Sequence, residues 1–293
     1  MKTLNLANPE QSDIKYKKIL FPDGQQNIVI DSKFEGLKCV HYKGHLPTQF
    51  LVPEPFIIKS RLNNWLDLEL ITCAVASLKE LGVEEIHLYT PYIMGARSDR
   101  KFEEGGNHYL RDVICPIINS LNFKSVICID PHSDVLEACI KGFRKESNLQ
   151  VVQGFFENNC IKDYILVSPD AGASKKIHKL AEQIGYKGDI ITCSKDRDKD
   201  GKLTQTFIPF DYHDDIDDKD LIIIDDICDG GATFINIAKK FKDSGYKNKI
   251  YLIVTHSIFS KGTDELLKYF DEIYTTNSYK ENNVEKVKVL NVF

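Results

Sequence analysis

The sequence predicts an α/β protein in two halves, each a mostly parallel sheet flanked by helices. Three observations lead there. First, one phrase recurs four times: an amphipathic helical pattern, a glycine or asparagine, then a short apolar run. It reads ITCAVASLKELGVEEIHLYTPY, ICPIINSLNFKSVICIDPH, KKIHKLAEQIGYKGDIITCSK and IAKKFKDSGYKNKIYLIVTH. Second, the strand segments are apolar throughout rather than alternating, the mark of strands buried on both faces under helices. Third, the most variable stretch between the second and third phrases, GFRKESNLQVVQGFFENNC, divides the chain into residues 1–145 and 146–293. The repeat is architectural, because the letters do not recur as they do in a solenoid.

The chain has 293 residues, 42% hydrophobic and 28% charged, and a net charge of −5. That balance suits a globular enzyme and gives no overall attraction to nucleic acid or an anionic membrane. No apolar run reaches the roughly 20 residues of a membrane span. The start, MKTLNLANPEQSD, turns polar too early for a signal peptide. The eight cysteines form no CxxC pair. Several, among them Cys73, Cys128 and Cys193, lie in apolar segments, so they read as reduced thiols of a cytoplasmic protein.

Ligands of open parallel sheets bind beyond the carboxyl ends of the strands. Four strand ends here carry chemically capable residues: Pro91-Tyr92, Asp130-Pro131-His132, Ser168-Pro169-Asp170 and Asp225-Asp226. The last is the most pointed. Leu221 to Ile224 reads as a central strand with both aspartates at its exit, and Asp229-Gly230-Gly231-Ala232-Thr233 opens a helix that runs to about Lys242. A buried carboxylate needs a partner, such as a hydroxyl, a metal-bound water or an arginine. A glycine-rich turn at a helix N-terminus presents N–H groups to a phosphate. One end of the pocket suits a polyol and the other a phosphate, which together describe a sugar phosphate. The plainer reading makes Asp225 and Asp226 helix caps and the glycines a tight turn.

The run IIIDDICDGGAT resembles the phosphoribosyl-pyrophosphate motif shared by phosphoribosyltransferases and ribose-phosphate pyrophosphokinases. SPDAGASKK (168–176), VTHSIFSKG (254–262), PYIMGARSDRK (91–101) and FPDGQ (21–25) resemble further segments of the second family, in that family's order. The resemblance covers about residues 20–292 and implies two phosphoribosyltransferase-like halves, an N-terminal ATP-binding one and a C-terminal one for ribose 5-phosphate. It implies transfer of the β,γ-diphosphoryl group of ATP to the C1 hydroxyl of ribose 5-phosphate, giving PRPP and AMP, with Mg2+ as cofactor.

Residue by residue, the resemblance implies these roles. Asp225 and Asp226 bind the ribose hydroxyls, and Asp229, Gly230, Gly231, Ala232 and Thr233 hold the 5-phosphate. Asp170 lies near the ribose and a magnesium ion; taken alone it reads as a helix N-cap. His132 contacts metal and ATP phosphates. Magnesium prefers oxygen ligands, so few protein atoms hold it. Arg97, Ser98 and Asp99 lie at the ATP site, with Ser98 where the family has glutamine; Arg97, Arg100 and Lys101 also read as a solvated turn. Lys195 and Arg197 belong to a mobile flap over the transferring phosphates, in a segment that composition alone reads as a solvated charged loop. Phe21, Asp23 and Gln25 match a segment that grips adenine from a neighbouring subunit, with Gln25 in place of glutamate. Apart from the resemblance they read as a plain turn.

Two other readings remain open at this stage: a phosphoribosyltransferase that consumes PRPP, and a non-catalytic regulatory homologue. Only 20 residues precede Phe21, and the chain closes on the strand-like KVKVLNVF, where typical relatives carry a helix at each place. FEEGGNHYLRDV, with Glu103 and Glu104, stands where the family has a basic segment for an inhibitory anion. The expectation is a member with trimmed termini that is at least a dimer sharing the adenine site and lacks strong allosteric inhibition by ADP.

Overall fold

The structure, a computed structural model, describes residues 1–34, 54–197, 203–208, 216 and 218–293. It falls into two units, Met1–Glu146 with Phe293, and Ser147–Val292. Secondary structure continues almost to the junction on both sides: a strand ends at Glu146 and a helix starts at Leu149.

The first unit contains β1 (Lys2–Asn5), β2 (Tyr16–Leu20), β3 (Gln26–Ile30), β4 (Phe56–Lys59), α1 (Trp65–Glu80), β5 (Ile86–Tyr89), α2 (Cys115–Ser120), β6 (Ser125–Ile129), α3 (Val135–Cys139) and β7 (Phe143–Glu146). β1, β4, β5, β6 and β7 form a parallel sheet in chain order. β2 and β3 make a separate antiparallel hairpin. Phe56 and Ile58, Ile86 and Leu88, and Val126 and Cys128 all point to one face, where they meet α1, α2, α3 and the hairpin in a single core. The crossovers leave α1, α2 and α3 on that one face. The opposite face carries His87, whose Nδ1 lies 2.7 Å from Ser125 Oγ, and the half-buried Tyr89.

The second unit contains α4 (Leu149–Asn158), β8 (Tyr164–Ser168), α5 (Ala171–Gln183), β9 (Ile190–Thr192), β10 (Ser194–Arg197), β11 (Leu203–Phe207), β12 (Asp220–Cys228), α6 (Ala232–Asp243), β13 (Ile250–Ser257), β14 (Glu272–Thr276) and β15 (Val287–Leu290). Its six-stranded sheet is parallel throughout, in the order β15-β14-β13-β12-β8-β9. From β8 the chain steps outward to β9. It then returns to β12 and builds in the other direction, so the strand order reverses between β8 and β12. The two faces have separate cores. Leu221 and Ile223 pack with α6 residues Phe234, Ile237 and Phe241. Ile222 and Ile224 pack with Val152 and Phe155 of α4 and Ile177 and Leu180 of α5.

The four sequence phrases become α1–β5, α2–β6, α5–β9 and α6–β13. In each, the glycine or asparagine after the helix takes positive φ: Gly82, Asn122, Gly185 and Gly245. Such residues end helices because the left-handed turn costs them least.

Candidate active site

In an open parallel sheet the point of strand reversal leaves a crevice at the carboxyl ends. In the second unit Asp170 follows β8 on one side of that reversal, and Asp225 and Asp226 lie on β12 at the other. The sequence expectation of a strand ending at Ile224 is corrected here. β12 continues to Cys228, because Asp225, Ile227 and Cys228 pair with Val254, His256 and Ser257 of β13. The two acids are therefore consecutive strand residues. Asp225 and Asp229 raise the pKa of the Cys228 thiol, after burial itself. Asp226 extends the Ile222–Ile224 series toward α5. It is 6% exposed, and Lys176 Nζ on α5 donates to its Oδ2 at 2.7 Å. Asp225 Oδ1 accepts from the Asp226 N–H at 2.9 Å, which fixes the first carboxylate against the backbone of the second.

The glycine loop lies directly beyond. Gly231 is the N-terminal flanking residue of α6, at φ 77°, and no side chain caps that helix. A Cβ at Gly231 would stand 3.0 Å from Leu266 Cδ2, so both backbone and space require glycine. The start of α5 differs, since Asp170 Oδ1 accepts from the Ala173 N–H at 2.9 Å. The cap reading of Asp170 is thus realised in its geometry. At α6 the first-turn N–H groups have no such side chain, leaving the helix end suited to an anion. The stem of Lys261 runs beside Gly230, its Cδ 3.5 Å from where a Cβ would be.

Lys195 and Arg197 have their backbone on β10, which pairs antiparallel with β11, Lys195 opposite Thr206 and Arg197 opposite Leu203. The segment expected as a loop is thus, in its described part, two arms of a hairpin. The two side chains and residues 198–202 lie outside the described part.

In the first unit Asp99 and His132 come together. Burial raises the Asp99 carboxyl, but hydrogen bonds from Arg100 and Ser133 and the nearby charges of Arg100 and His132 outweigh it. The pKa is left below the usual carboxylate value. Arg100 Nε donates to Asp99 Oδ1 at 2.9 Å. Asp130, with φ 41°, turns the chain after β6 and leaves His132 exposed. The Ser98 N–H donates to Gly95 O and its carbonyl accepts from the Leu110 N–H, holding the turn beside the exposed Arg97. Phe21, Asp23 and Gln25 sit on another element, the tip of the β2–β3 hairpin. Phe21 N–H donates to Gln25 O at 2.8 Å and Gln25 N–H to Asp23 Oδ1 at 3.3 Å. Phe21 is 44% exposed.

Among the described residues no cluster of three or more His, Cys, Asp or Glu side chains suits a metal. His132 and Asp170 belong to different units, and each offers a single group. Asp170 by itself is the kind of carboxylate that magnesium takes alongside phosphate and water oxygens. No described helix is long and apolar enough to cross a membrane. The seven described cysteines are free thiols.

Sequence reasoning missed Lys176 and Lys261. Lys176 was in plain view in SPDAGASKK, but its partner lies 50 residues away, beyond the reach of any local periodicity.

Known proteins share this architecture. A crystal structure of phosphoribosylpyrophosphate synthetase from Mycobacterium smegmatis superposes with TM-score 0.76 at 17% identity, covering 97% of this chain and 88% of that one. The fold is therefore that of the phosphoribosylpyrophosphate synthetases. Residues 201–292 match the phosphoribosyl synthetase-associated domain. The ribose-phosphate pyrophosphokinase of Mycoplasmopsis pulmonis is 28% identical over 228 residues, 76% of this chain and 68% of the relative. That of Sulfurisphaera tokodaii is 26% identical over 284 residues, 95% and 89%. By sequence the chain is similar to the ribose-phosphate pyrophosphokinases over most of its length.

Proposed function

We propose that the chain makes PRPP and AMP from ATP and ribose 5-phosphate. The observation that carries this reading is the α6 N-terminus, without a side-chain cap and opened by Gly230-Gly231, beside two carboxylates at the strand-order reversal. It supports a sugar phosphate with its phosphate on the α6 amides and Thr233 and its hydroxyls toward Asp225 and Asp226. Asp229 closes the loop through its carbonyl, which accepts from the Ser260 N–H at 3.2 Å. Phe21 stacks on the adenine, with Asp23 and Gln25 on its edge, contributed between subunits of at least a dimer. Arg97, Ser98 and Asp99 meet the ATP phosphates or base.

In the reaction the C1 hydroxyl oxygen forms a bond to the β-phosphorus. The bond from that phosphorus to the α,β-bridging oxygen breaks, AMP departs with the electron pair, and the hydroxyl proton passes to solvent. Such transfer depends on in-line positioning and charge neutralisation rather than a covalent nucleophile. Magnesium, when bound, neutralises phosphate charge. His132 and Asp170 are the residues that would hold it. Lys195 and Arg197 add positive charge over the transferring group.

Incubation with magnesium, ATP and ribose 5-phosphate should yield AMP and PRPP in equal amounts. Absence of AMP, with PRPP consumed when a nucleobase is supplied, would replace this reading with a phosphoribosyltransferase. 2-Deoxyribose 5-phosphate should be a poor substrate, because a site built to pair with hydroxyls rejects analogues lacking them.

A further inference from the structure

Lys176 is the strongest unassigned feature. Its Nζ lies 2.7 Å from Asp226 Oδ2, and its side chain is 43% exposed against 8% for the aspartate. The pair thus sits at the boundary of the protein interior, with the carboxylate inside and the ammonium at the surface. α5 delivers the lysine from a fixed base. Ala173 and Ile177 are buried against Ile222 and Ile224, and the helix start is tied by Asp170 to the Ala173 N–H. One side chain therefore bridges the two elements that flank the strand-order reversal: the helix following β8 and the carboxyl-terminal part of β12.

Asp225 is held differently. Its Oδ1 accepts from a backbone N–H on the same strand, whereas the Asp226 Oδ2 accepts from a side chain on another element. A carboxylate that must meet a sugar hydroxyl at a defined angle benefits when one oxygen is held by a charged donor, because charge-assisted hydrogen bonds are short and directional. Lysine suits the task, since its ammonium carries three donors.

We infer that Lys176 is a positioning residue for the ribose subsite: it orients Asp226 so that the carboxylate selects a vicinal diol. This rests on the proposal that ribose 5-phosphate is the substrate. Lys176 then governs sugar recognition and leaves ATP recognition alone.

The test is steady-state kinetics on the full chain with ribose 5-phosphate and 2-deoxyribose 5-phosphate, for wild type, K176M, K176Q and K176R. Circular dichroism and thermal unfolding run alongside. Loss of a charged hydrogen bond at this position is expected to raise KM for ribose 5-phosphate on the order of tenfold in K176M. KM for ATP should stay near wild type, and the preference for ribose over deoxyribose should fall. K176R should retain the preference, because its guanidinium still donates to the carboxylate. Should K176M fail to fold, K176Q, which keeps an N–H donor without the charge, is read by the same criteria. A folded K176M or K176Q with wild-type KM and wild-type sugar preference overturns the inference. So does a K176R as indiscriminate as K176M, or an equal rise in KM for both substrates. Wild-type turnover separates the two levels. A wild-type chain that neither binds ribose 5-phosphate by calorimetry nor releases AMP removes the parent reading and this one together. An active wild type with an unperturbed K176M removes only the role of Lys176.

Discussion

The two units are both parallel α/β sheets, yet they place functional residues by different means. In the second unit the strand order reverses between β8 and β12, and a core lies on each face. Its candidate residues therefore sit on the framework itself: Asp225 and Asp226 on a central strand, Asp170 and the 229–233 loop at helix starts. In the first unit the strands run in chain order, and all three helices share one face and one core. That sheet has no point of reversal. Its candidates sit on excursions: the β2–β3 hairpin tip, the turn at Arg97, and the loop after β6. On the proposed function this contrast would be a division of labour, with the sugar phosphate held on framework residues of the second unit and the nucleotide on the excursions of the first.

The sharpest way to break that division is at the β10 strand. If the second unit carries the chemistry, Lys195→Ala should lower kcat on the order of a hundred-fold or more, as removal of a transition-state contact does, and leave ribose 5-phosphate affinity nearly unchanged. Stopped-flow and steady-state kinetics check this. A near-normal kcat would move the chemistry away from Lys195.

The difference in rigidity can be tested at two glycines of similar backbone. Gly231 and Gly24 have φ of 77° and 89°. At Gly231 an added Cβ meets Leu266 at 3.0 Å, whereas at Gly24 nothing lies within 4 Å. Both alanine variants incur left-handed strain, on the order of 1–2 kcal/mol. Gly231→Ala adds a clash in the core and a displaced phosphate loop. It should lower Tm more than Gly24→Ala and raise KM for ribose 5-phosphate at least several-fold. Equal Tm losses with unchanged sugar KM would show that the loop after β12 is no more constrained than the hairpin.

The same contrast decided what the sequence could disclose. Framework sites announce themselves: four apolar residues, two aspartates and a glycine pair at Leu221 to Gly231 carry their own chemical logic. The helix-glycine-strand phrases yielded the α/β class in the same way. What stayed hidden depends on pairing across distance. The run of β12 past Ile224 is set by register with β13, and apolar patterning cannot reveal that two acids continue a strand. The Lys176–Asp226 pair joins residues 50 apart. Excursion sites were silent for another reason: Phe21-Pro22-Asp23-Gly24 reads as a turn, and only resemblance gave Phe21 a purpose.

Phe21 offers a smaller effect on the first unit. With 44% of its surface exposed, Phe21→Ala should change unfolding free energy by no more than about 0.5 kcal/mol. Loss of a base-stacking ring should raise KM for ATP roughly tenfold while kcat holds. A change in kcat without a change in KM would place the hairpin in the chemical step and blur the division between units.

The smallest effect tests whether the loops of the first unit are held by charge rather than by packing. Asp99 is the joint between the Arg97 turn and the loop after β6. Burial raises its carboxyl, but hydrogen bonds from Arg100 and Ser133 and the nearby charges of Arg100 and His132 win, and its pKa is lowered in the folded chain. A carboxyl with a depressed folded pKa contributes stability above its unfolded pKa, about 3.9, and that contribution disappears as pH falls through the folded value. Wild type should therefore be slightly more stable than Asp99→Asn at pH 7. The difference should persist down to about pH 5 and shrink toward zero as the medium becomes more acidic than the ordinary carboxylate range. Because Arg100 is largely exposed, solvent screening keeps the effect small, and added salt should shrink it further. Urea unfolding of both proteins from pH 3 to 7, at low and high salt, measures it. A difference that is flat with pH and salt would mean that packing, not the charge of Asp99, joins the two loops.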